Sequence, residues 1–173
     1  MKTLVLGGVR SGKSRYAAEL AREQACPVTL IVTGSALDEE MAARIGEHRA
    51  TRPSAWTVVE EPTHLAAALA AAAGPNRVLI VDCLTLWLTN LLCSDDAEAL
   101  RRESRSMLET LPALPGHCVL VANEVSLGIV PVNALARLFT DEAGVMHQGL
   151  AAICDRVVFM VAGLPLTVKP GAP

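Results

Sequence analysis

A glycine-rich segment near the amino end constrains the fold of this chain more than any other feature. The segment matches the pattern GxxxxGK[ST], and it lies between an apolar run and an alanine-rich helical pattern. Its residues are Gly7, Gly8, Val9, Arg10, Ser11, Gly12, Lys13 and Ser14. Glycines let a backbone curl, and the N-terminus of a helix carries partial positive charge. The segment is therefore predicted to be a loop that surrounds the phosphates of a nucleotide.

Two positions around this loop are candidates for magnesium. Ser14 carries the hydroxyl that closes the pattern, and Lys13 supplies a positive charge beside the phosphates. Asp82 directly follows the apolar run Val78–Val81. In enzymes with such a loop, the carboxylate that holds magnesium likewise stands at the end of an apolar strand. An aspartate at a strand end is by itself more often a turn or helix cap, but its pairing with the phosphate loop favours Mg²⁺ binding by Ser14 and Asp82.

Apolar runs of strand length recur along the chain, mostly separated by alanine-rich helical patterns. The predicted strands are Thr3–Leu6, Val28–Val32, Trp56–Val59, Val78–Val81, Val119–Ala122 and Val157–Val161. The predicted helices are Ser14–Gln24, Asp38–Arg49, Thr63–Ala73, Leu84–Leu92, Asp95–Leu111, Asn133–Phe139 and Asp141–Ile153. Continuous apolar strands are typical of a parallel sheet covered on both faces.

The sequence therefore predicts an α/β fold in which a mostly parallel central sheet is flanked by helices. With the phosphate loop after its first strand, this is a P-loop (RecA-like) NTPase fold. The length of 173 residues and the hydrophobic content of 51% favour a single domain over residues 1–173. No internal repeat or linker-like run indicates a boundary.

Charge and cysteine content exclude several classes of function. The net charge of -3 provides no broad attraction for a polyanion, so no nucleic acid partner is expected. No stretch approaches the roughly 20 apolar residues of a membrane span. The 5 cysteines are odd in number and form no CxxC pair, so we expect buried, reduced thiols and a cytoplasmic protein.

Several segments together resemble one enzyme family. They are GGVRSGKSRYAAEL at 7–20, EMAARIGEHRATRP at 40–53, VDCLTLWLTNLL at 81–92, NEVSLGIVPVNALARLF at 123–139 and QGLAAICDRVVFMVAGLPLTVK at 148–169. This likeness extends over nearly the whole chain, and the family is that of the bifunctional adenosylcobinamide kinase/adenosylcobinamide-phosphate guanylyltransferases of cobalamin biosynthesis.

The resemblance implies two reactions with Mg²⁺. ATP or GTP would phosphorylate adenosylcobinamide, and GMP would then pass from GTP to that phosphate through a histidine-bound GMP, giving adenosylcobinamide-GDP. The matching histidine is His48, within the pattern R-I-x-x-H-R-x-x-R-P. The resemblance further implies nucleotide contacts and a homo-oligomer, with a trimer as one candidate. The implied nucleotide contacts are Thr33, Gly34, Ser35, Arg49, Arg52 and Glu60.

The surroundings of His48 agree with a nucleophilic role. Arg44, His48 and Arg52 are spaced i, i+4, i+8, so on a continuous helix they would share one face. Neighbouring guanidinium groups disfavour the imidazolium form, which keeps a nitrogen lone pair available to attack the α-phosphorus. Without the resemblance, a histidine on a basic helix is more often a solvated surface residue.

Glu124 is a secondary candidate, because Asn123 and Glu124 end a predicted strand at the edge where ligands bind in α/β sheets. It could orient a nucleophile or a magnesium-bound water, or it could cap a turn. The chain departs from the family nearby, since Ser126 replaces a usual glycine, Thr140 a common arginine and His147 a usual asparagine. These changes concern the substrate side, whereas the phosphate loop and His48 are intact.

Two other functions stay open on sequence alone. One is a small-molecule kinase with a phosphate loop but without guanylyltransferase activity. The other is a nucleotide-regulated assembly subunit that uses the apolar segment Leu84–Leu92, with Trp87, to contact another chain. Such an apolar stripe belongs more often to the core of its own chain.

Overall fold

The computed structural model describes residues 1–34 and 53–171, and within them seven strands form one sheet in the order β3-β2-β4-β5-β1-β6-β7. The strands are β1 (Lys2–Gly7), β2 (Val28–Val32), β3 (Thr57–Glu60), β4 (Val78–Asp82), β5 (His117–Asn123), β6 (Arg156–Val161) and β7 (Leu164–Lys169). All neighbouring strands pair in parallel except β6 and β7, which pair antiparallel. The predicted mostly parallel sheet is confirmed.

Helices cover both faces of this sheet. They are α1 (Lys13–Glu23), α2 (Leu65–Ala72), α3 (Leu84–Leu92), α4 (Ala99–Thr110) and α5 (Ala134–Ile153). Alternate residues of β1 serve opposite cores, because Leu4 packs with the cluster around α2 to α5 and Val5 packs with the cluster around α1. Both side chains are fully buried. The predicted helix Asp38–Arg49 lies outside the described residues.

The apolar stripe of α3 belongs to the core of its own chain. Trp87 is 0% exposed, and its Nε1 donates a hydrogen bond of 2.7 Å to the backbone oxygen of Thr63. Leu84, Leu88 and Leu91 are buried with it. The alternative that Leu84–Leu92 contacts another chain is therefore wrong for this face of the helix.

Two predictions about the carboxyl third of the chain are wrong. The predicted helices Asn133–Phe139 and Asp141–Ile153 form one helix, α5, because the Thr140 hydroxyl bonds to the Ala136 oxygen at 2.8 Å inside the helix and interrupts nothing. The segment Leu164–Lys169, which the apolar runs did not predict, is the antiparallel edge strand β7. Pro165 is tolerated there because an edge strand leaves one row of backbone donors unpaired.

The cysteines are free, but they are not all buried. Cys83, Cys118 and Cys154 are buried, whereas Cys26 is half-buried and Cys93 is exposed at the end of α3. Burial raises the pKa of both the Cys118 and the Cys154 thiol to about 12. The prediction of buried thiols is thus wrong for Cys93, which follows the apolar face of α3 by one residue and lies outside it. In the described part of the chain, no helix is long and apolar enough to cross a membrane.

Candidate active site

The carboxyl ends of the parallel strands bring the candidate residues to one edge of the sheet. Gly7 at the end of β1 lies level with Asn123 of β5, and Asp82 of β4 lies level with Val121 of β5. On the other side, Asp82 is level with Val32 of β2. The strand β5 therefore stands between the phosphate loop and the strand that carries Asp82, and its own end joins the site.

The backbone of the phosphate loop adopts several conformations that favour glycine. Gly7 has a φ of +152°, and a Cβ on it would lie 2.7 Å from both the Met160 oxygen and the Ser11 Oγ. Arg10 and Gly12 also adopt positive φ angles, of 56° and 96°. No side chain among the described residues caps the N-terminus of α1, which starts at Lys13. Its free N–H groups thus remain available for an anion.

Residues from the far end of the chain brace this loop. The Gly163 nitrogen donates to the Ser11 oxygen at 3.1 Å, and the Gly163 oxygen accepts from the Arg15 guanidinium at 3.4 Å. Gly163 lies in the turn between β6 and β7. The sequence analysis missed this contact, because a glycine in a two-residue turn carries no signal of what it touches.

Lys13 is folded back into the loop. Its side chain is only 7% exposed, and its Nζ donates to the Gly8 oxygen at 2.6 Å. Burial lowers the pKa of Lys13, while the nearby Cys83 and Asp82 side chains oppose that shift. A buried ammonium with one hydrogen-bond acceptor retains donors for phosphate oxygens. The arrangement is therefore ready to bind a polyphosphate.

Asp82 and Ser14 have the chemistry that magnesium requires. Both offer hard oxygen donors and both are partly exposed at the same edge of the sheet. Asp82 lies close enough to Lys13 to oppose the lowering of that amine's pKa by burial. In P-loop enzymes two such protein oxygens, completed by phosphate and water oxygens, hold the ion. The residues present thus fit Mg²⁺ bound together with a nucleotide.

Thr33 holds the backbone beside Asp82. Its hydroxyl donates to the Cys83 oxygen at 2.6 Å and accepts from the Cys83 nitrogen at 3.1 Å, and its side chain is fully buried. The Asn90 amide donates to the Thr33 oxygen at 2.7 Å and to the Pro62 oxygen at 3.0 Å. This geometry favours a positioning role for Thr33 over a direct contact with nucleotide.

The remaining predicted nucleotide contacts are only partly within the described residues. Glu60 ends β3, level with Val32, and is exposed at the carboxyl edge. Gly34 is half-buried just beyond β2. The other predicted contacts and the predicted nucleophile lie outside the described residues. They are Ser35, Arg44, His48, Arg49 and Arg52.

Glu124 occupies the edge between the phosphate loop and α5. Its nitrogen donates to the Gly7 oxygen at 3.0 Å, which fixes the residue to the start of the loop. Its Oε1 accepts from the Ser126 nitrogen at 2.6 Å and from the Ser126 hydroxyl. Its Oε2 lies 3.5 Å from the Nδ1 of His147. Ser126 and His147, two of the three positions at which the resemblance implied departures, therefore contact one carboxylate.

The electrostatics of this pair keep Glu124 ionised and His147 neutral. Burial acts to raise the pKa of Glu124, but the two Ser126 hydrogen bonds and the neighbouring His147 outweigh it, so this pKa is lowered. Burial lowers the pKa of His147, and Glu124 opposes that shift only in part. The environment therefore favours a neutral imidazole beside an ionised carboxylate.

Two buried side-chain atoms of the described residues have no hydrogen-bond partner, and both lie at this site. They are the Oγ of Ser11, inside the phosphate loop, and the Nε2 of His147. Buried polar atoms are nearly always satisfied in folded proteins, so an orphaned one indicates strain, function or a bound group. The Ser11 Oγ lies where phosphates are expected, and His147 contacts Glu124 through its other ring nitrogen.

Comparison with known proteins identifies the family. The family model CobU, described as cobinamide kinase / cobinamide phosphate guanyltransferase, matches residues 3–168. The bifunctional adenosylcobalamin biosynthesis protein CobP of Pseudomonas aeruginosa is 53% identical over 169 residues, which cover 98% of this chain and 98% of the relative. The protein CobU of Escherichia coli, described in the same words, is 40% identical over 182 residues, covering 98% and 100%.

Solved structures support the fold alone. A protein of Pyrococcus horikoshii superposes with a TM-score of 0.57 at 7% identity, covering 98% of this chain and 86% of the other. The P4 protein of bacteriophage phi6, solved in complex with ADP, gives 0.50 at 16% identity, covering 95% of this chain and 53% of the other. From its full-length match and its phosphate loop, the chain belongs to the cobinamide kinase / cobinamide phosphate guanyltransferase family.

Proposed function

We propose that one phosphate loop serves both reactions of the family in this chain. The chain phosphorylates adenosylcobinamide with a nucleoside triphosphate, and it then transfers GMP from GTP onto the new phosphate. The observation that carries this function is the family match over residues 3–168, which includes the complete loop from Gly7 to Ser14. The buried Lys13, held on the Gly8 oxygen at 2.6 Å, is the charge that both triphosphates would meet.

In the phosphorylation step, the chain's residues position and neutralise the triphosphate. The free N–H groups at the start of α1 and the ammonium of Lys13 bind the phosphate oxygens, where negative charge develops during transfer. Ser14 and Asp82 would hold Mg²⁺, which supplies additional positive charge between the phosphates when bound. Thr33 fixes the backbone that follows Asp82 through its bonds to Cys83.

In the guanylyl transfer step, we assign the nucleophile to His48. A nitrogen of His48 attacks the α-phosphorus of GTP, the bond to the bridging oxygen breaks, and pyrophosphate leaves. An oxygen of the corrinoid phosphate then attacks the same phosphorus and the N–P bond breaks, which restores the free imidazole. Arg44 and Arg52 are proposed to hold the imidazole neutral and to neutralise the phosphate oxygens. Support comes from the family pattern around His48.

Further contacts and the setting of the enzyme are proposals of the same kind. We assign Gly34, Ser35, Arg49, Arg52 and Glu60 to the nucleotide, because Gly34 and Glu60 lie at the carboxyl edge and the others follow the family pattern. A cytoplasmic location is supported by the 5 free cysteines. A homo-oligomer, with a trimer as one candidate, and a single domain over residues 1–173 are supported by the resemblance.

The decisive experiment labels the protein with GTP that is radioactive at the α-phosphate. We expect label on the wild type that is labile in acid and stable in alkali, as a phosphoramidate is. His48→Ala should lose the label and the guanylyl transfer while it still phosphorylates adenosylcobinamide, because only the second step needs an attacking imidazole. His64→Ala is the matched control, since this histidine has an exposed side chain at the start of α2.

The outcomes separate the candidate functions. An unlabelled wild type that still phosphorylates adenosylcobinamide would indicate a kinase without guanylyltransferase activity. A protein that binds GTP tightly but turns over neither substrate would indicate the assembly subunit. Label that persists in His48→Ala and maps to another residue would overturn the assignment of the nucleophile.

A further inference from the structure

The two steps of the proposed function place different demands on the acceptor. The acceptor of phosphorylation is an alcohol, whose O–H bond must break as its oxygen bonds to the γ-phosphorus. The acceptor of guanylyl transfer is a phosphate monoester, which is already largely ionised at neutral pH. A group that takes a proton from the acceptor is therefore needed for the first step alone.

Glu124 is positioned for that task. Its backbone is tied to Gly7 at the start of the phosphate loop, and its side chain, which is 13% exposed, lies between Ser126 and His147 of α5. A cavity of about 160 Å³ begins at the next residue and is lined by Val125, Ser126 and Arg137, among others. Ser126, which holds the Glu124 carboxylate, is thus shared between the catalytic edge and the cavity.

The segment after Glu124 suits an acceptor with a large apolar body. Leu127 is 78% exposed, Ile129 is 98% exposed and Val132 is 96% exposed, although all three lie within a few residues of the site. Isolated exposed apolar residues need no explanation, but a cluster of them beside a polar site is typical of a binding surface. Of these three residues, Ile129 also lines the cavity that begins after Glu124.

The burial of a polar side chain at His147 is explained by its contact with Glu124 and not by packing of the core. The residue is 7% exposed, yet its side chain is polar, and its Nε2 has no partner among the described residues. A leucine would fill this space without leaving a buried nitrogen unsatisfied. The compensating contact is that of Nδ1 with the Glu124 Oε2 at 3.5 Å. Ser126 holds the other carboxylate oxygen.

We propose that Glu124 is the catalytic base of the phosphorylation step alone, and that His147 and Ser126 are positioning residues that aim its carboxylate at the acceptor hydroxyl. This inference rests on the proposed function. Glu124 takes the proton of the acceptor hydroxyl while the hydroxyl oxygen bonds to the γ-phosphorus. The bond from the γ-phosphorus to the β–γ bridging oxygen breaks, and a nucleoside diphosphate leaves. The proton then passes from Glu124 to water. In a loose transition state the proton leaves the hydroxyl late, so an ionised carboxylate is a sufficient base.

The test measures both steps separately in the full-length enzyme. Adenosylcobinamide with ATP reports phosphorylation, and adenosylcobinamide phosphate with GTP reports guanylyl transfer. We expect Glu124→Gln to lower kcat for phosphorylation about 100-fold, the usual contribution of a base, and to lower guanylyl transfer several-fold at most. Glu124→Asp keeps a carboxylate but moves it away from the acceptor, so its kcat for phosphorylation should lie between those of the wild type and Glu124→Gln. Glu23→Gln, exposed at the far end of α1, is the matched control.

Variants of His147 distinguish positioning from packing. His147→Leu should lower kcat for phosphorylation about tenfold with little change in KM, because the carboxylate loses its fixed orientation. His147→Asn should recover most of that loss, since its amide nitrogen can take the place of Nδ1. A structural role alone would affect both steps equally and would not separate the two variants.

Three results would overturn the proposal. They are equal losses of both steps in Glu124→Gln, phosphorylation unchanged in that variant, or identical behaviour of His147→Leu and His147→Asn. Failure of the proposed function is recognised separately, because it appears in the wild type as the absence of one of the two reactions.

Discussion

Lysine side chains at the two edges of the sheet are used in different ways. At the amino edge, the Lys169 Nζ donates to the backbone oxygens of Ala151, Ala152 and Cys154 at 3.0, 3.1 and 2.6 Å. The Lys2 Nζ, at the start of β1, likewise donates to two carbonyls, those of Leu114 and Gly116, at 2.6 and 3.3 Å. Backbone carbonyls accept from all three donors of Lys169 and from two of Lys2, so these ammonium groups serve the fold.

At the carboxyl edge the same kinds of group are left incomplete. Lys13 donates to one carbonyl, and both orphaned buried atoms of the described residues, the Ser11 Oγ and the His147 Nε2, lie here. An unsatisfied buried polar atom costs about 1–3 kcal/mol, so this edge is less stable than it could be. The difference indicates that polar groups at one edge serve folding, whereas those at the other are reserved for ligands.

The strongest test of this contrast exchanges one lysine at each edge for methionine. Lys13→Met should lower both phosphorylation and guanylyl transfer by about 100- to 1,000-fold, because the charge that stabilises the triphosphate is lost. Lys169→Met makes the same chemical change at the amino edge and should keep both activities within about threefold. Comparable loss of activity in the two variants, measured at saturating nucleotide, would contradict the assignment of functions to edges.

The next largest effect concerns the free energy of unfolding, which Lys169→Met should lower more than Lys13→Met does. Lys169→Met should lower the free energy of unfolding by about 1–3 kcal/mol, because three carbonyls at the end of α5 lose a charged donor. Lys13→Met should leave it unchanged or raise it, because burial already penalises the ammonium of Lys13, as its lowered pKa shows. Urea unfolding without nucleotide measures both. A Lys13→Met protein that is clearly less stable than Lys169→Met would show that Lys13 holds the fold.

Local sequence patterns predicted the phosphate loop at the carboxyl edge but not the lysine contacts at the amino edge. The phosphate loop follows from contiguous residues, and the strands follow from apolar runs, so β1, β4 and the loop from Gly7 to Ser14 were found where expected. Lys169 gave no such signal, because its partners lie 15 to 18 residues away in sequence and are backbone oxygens. Side chains that bond to distant backbone are invisible to periodicity.

Elements near the carboxyl end were mispredicted for related reasons. Nothing in the sequence around Thr140 shows that its hydroxyl bonds within the helix, so α5 was divided there. β7 was missed because Pro165 interrupts its apolar run and only two residues separate it from β6. In the structure Leu164 is 71% exposed and Leu166 is 58% exposed. The pairing of Glu124 with His147 joins β5 to a turn of α5 and required the fold itself.

The smallest expected effect concerns the pH dependence of stability. Burial lowers the pKa of His147 from its ordinary value of 6.5, so between the lowered pKa and 6.5 the unfolded chain binds a proton that the folded chain does not. Stability contributed by the neutral imidazole is therefore lost as the pH falls through this window, at a rate of at most about 1.4 kcal/mol per pH unit. His147→Asn, which cannot titrate, should remove that part of the slope.

His147 and its partner Glu124 affect stability in different ranges of pH. The pKa of Glu124 is lowered from 4.5, so the stability that its carboxylate contributes is complete above pH 4.5 and is lost only below it. Unfolding of the wild type and of His147→Asn, compared between about pH 5 and 8, therefore reports the imidazole alone among these two groups. We expect the difference in the free energy of unfolding to change most below pH 6.5 and to be flat above it. A difference that is constant over the whole range would mean that the carboxylate compensates fully for burial and that His147 is not held neutral, which would remove the electrostatic distinction of this edge of the sheet.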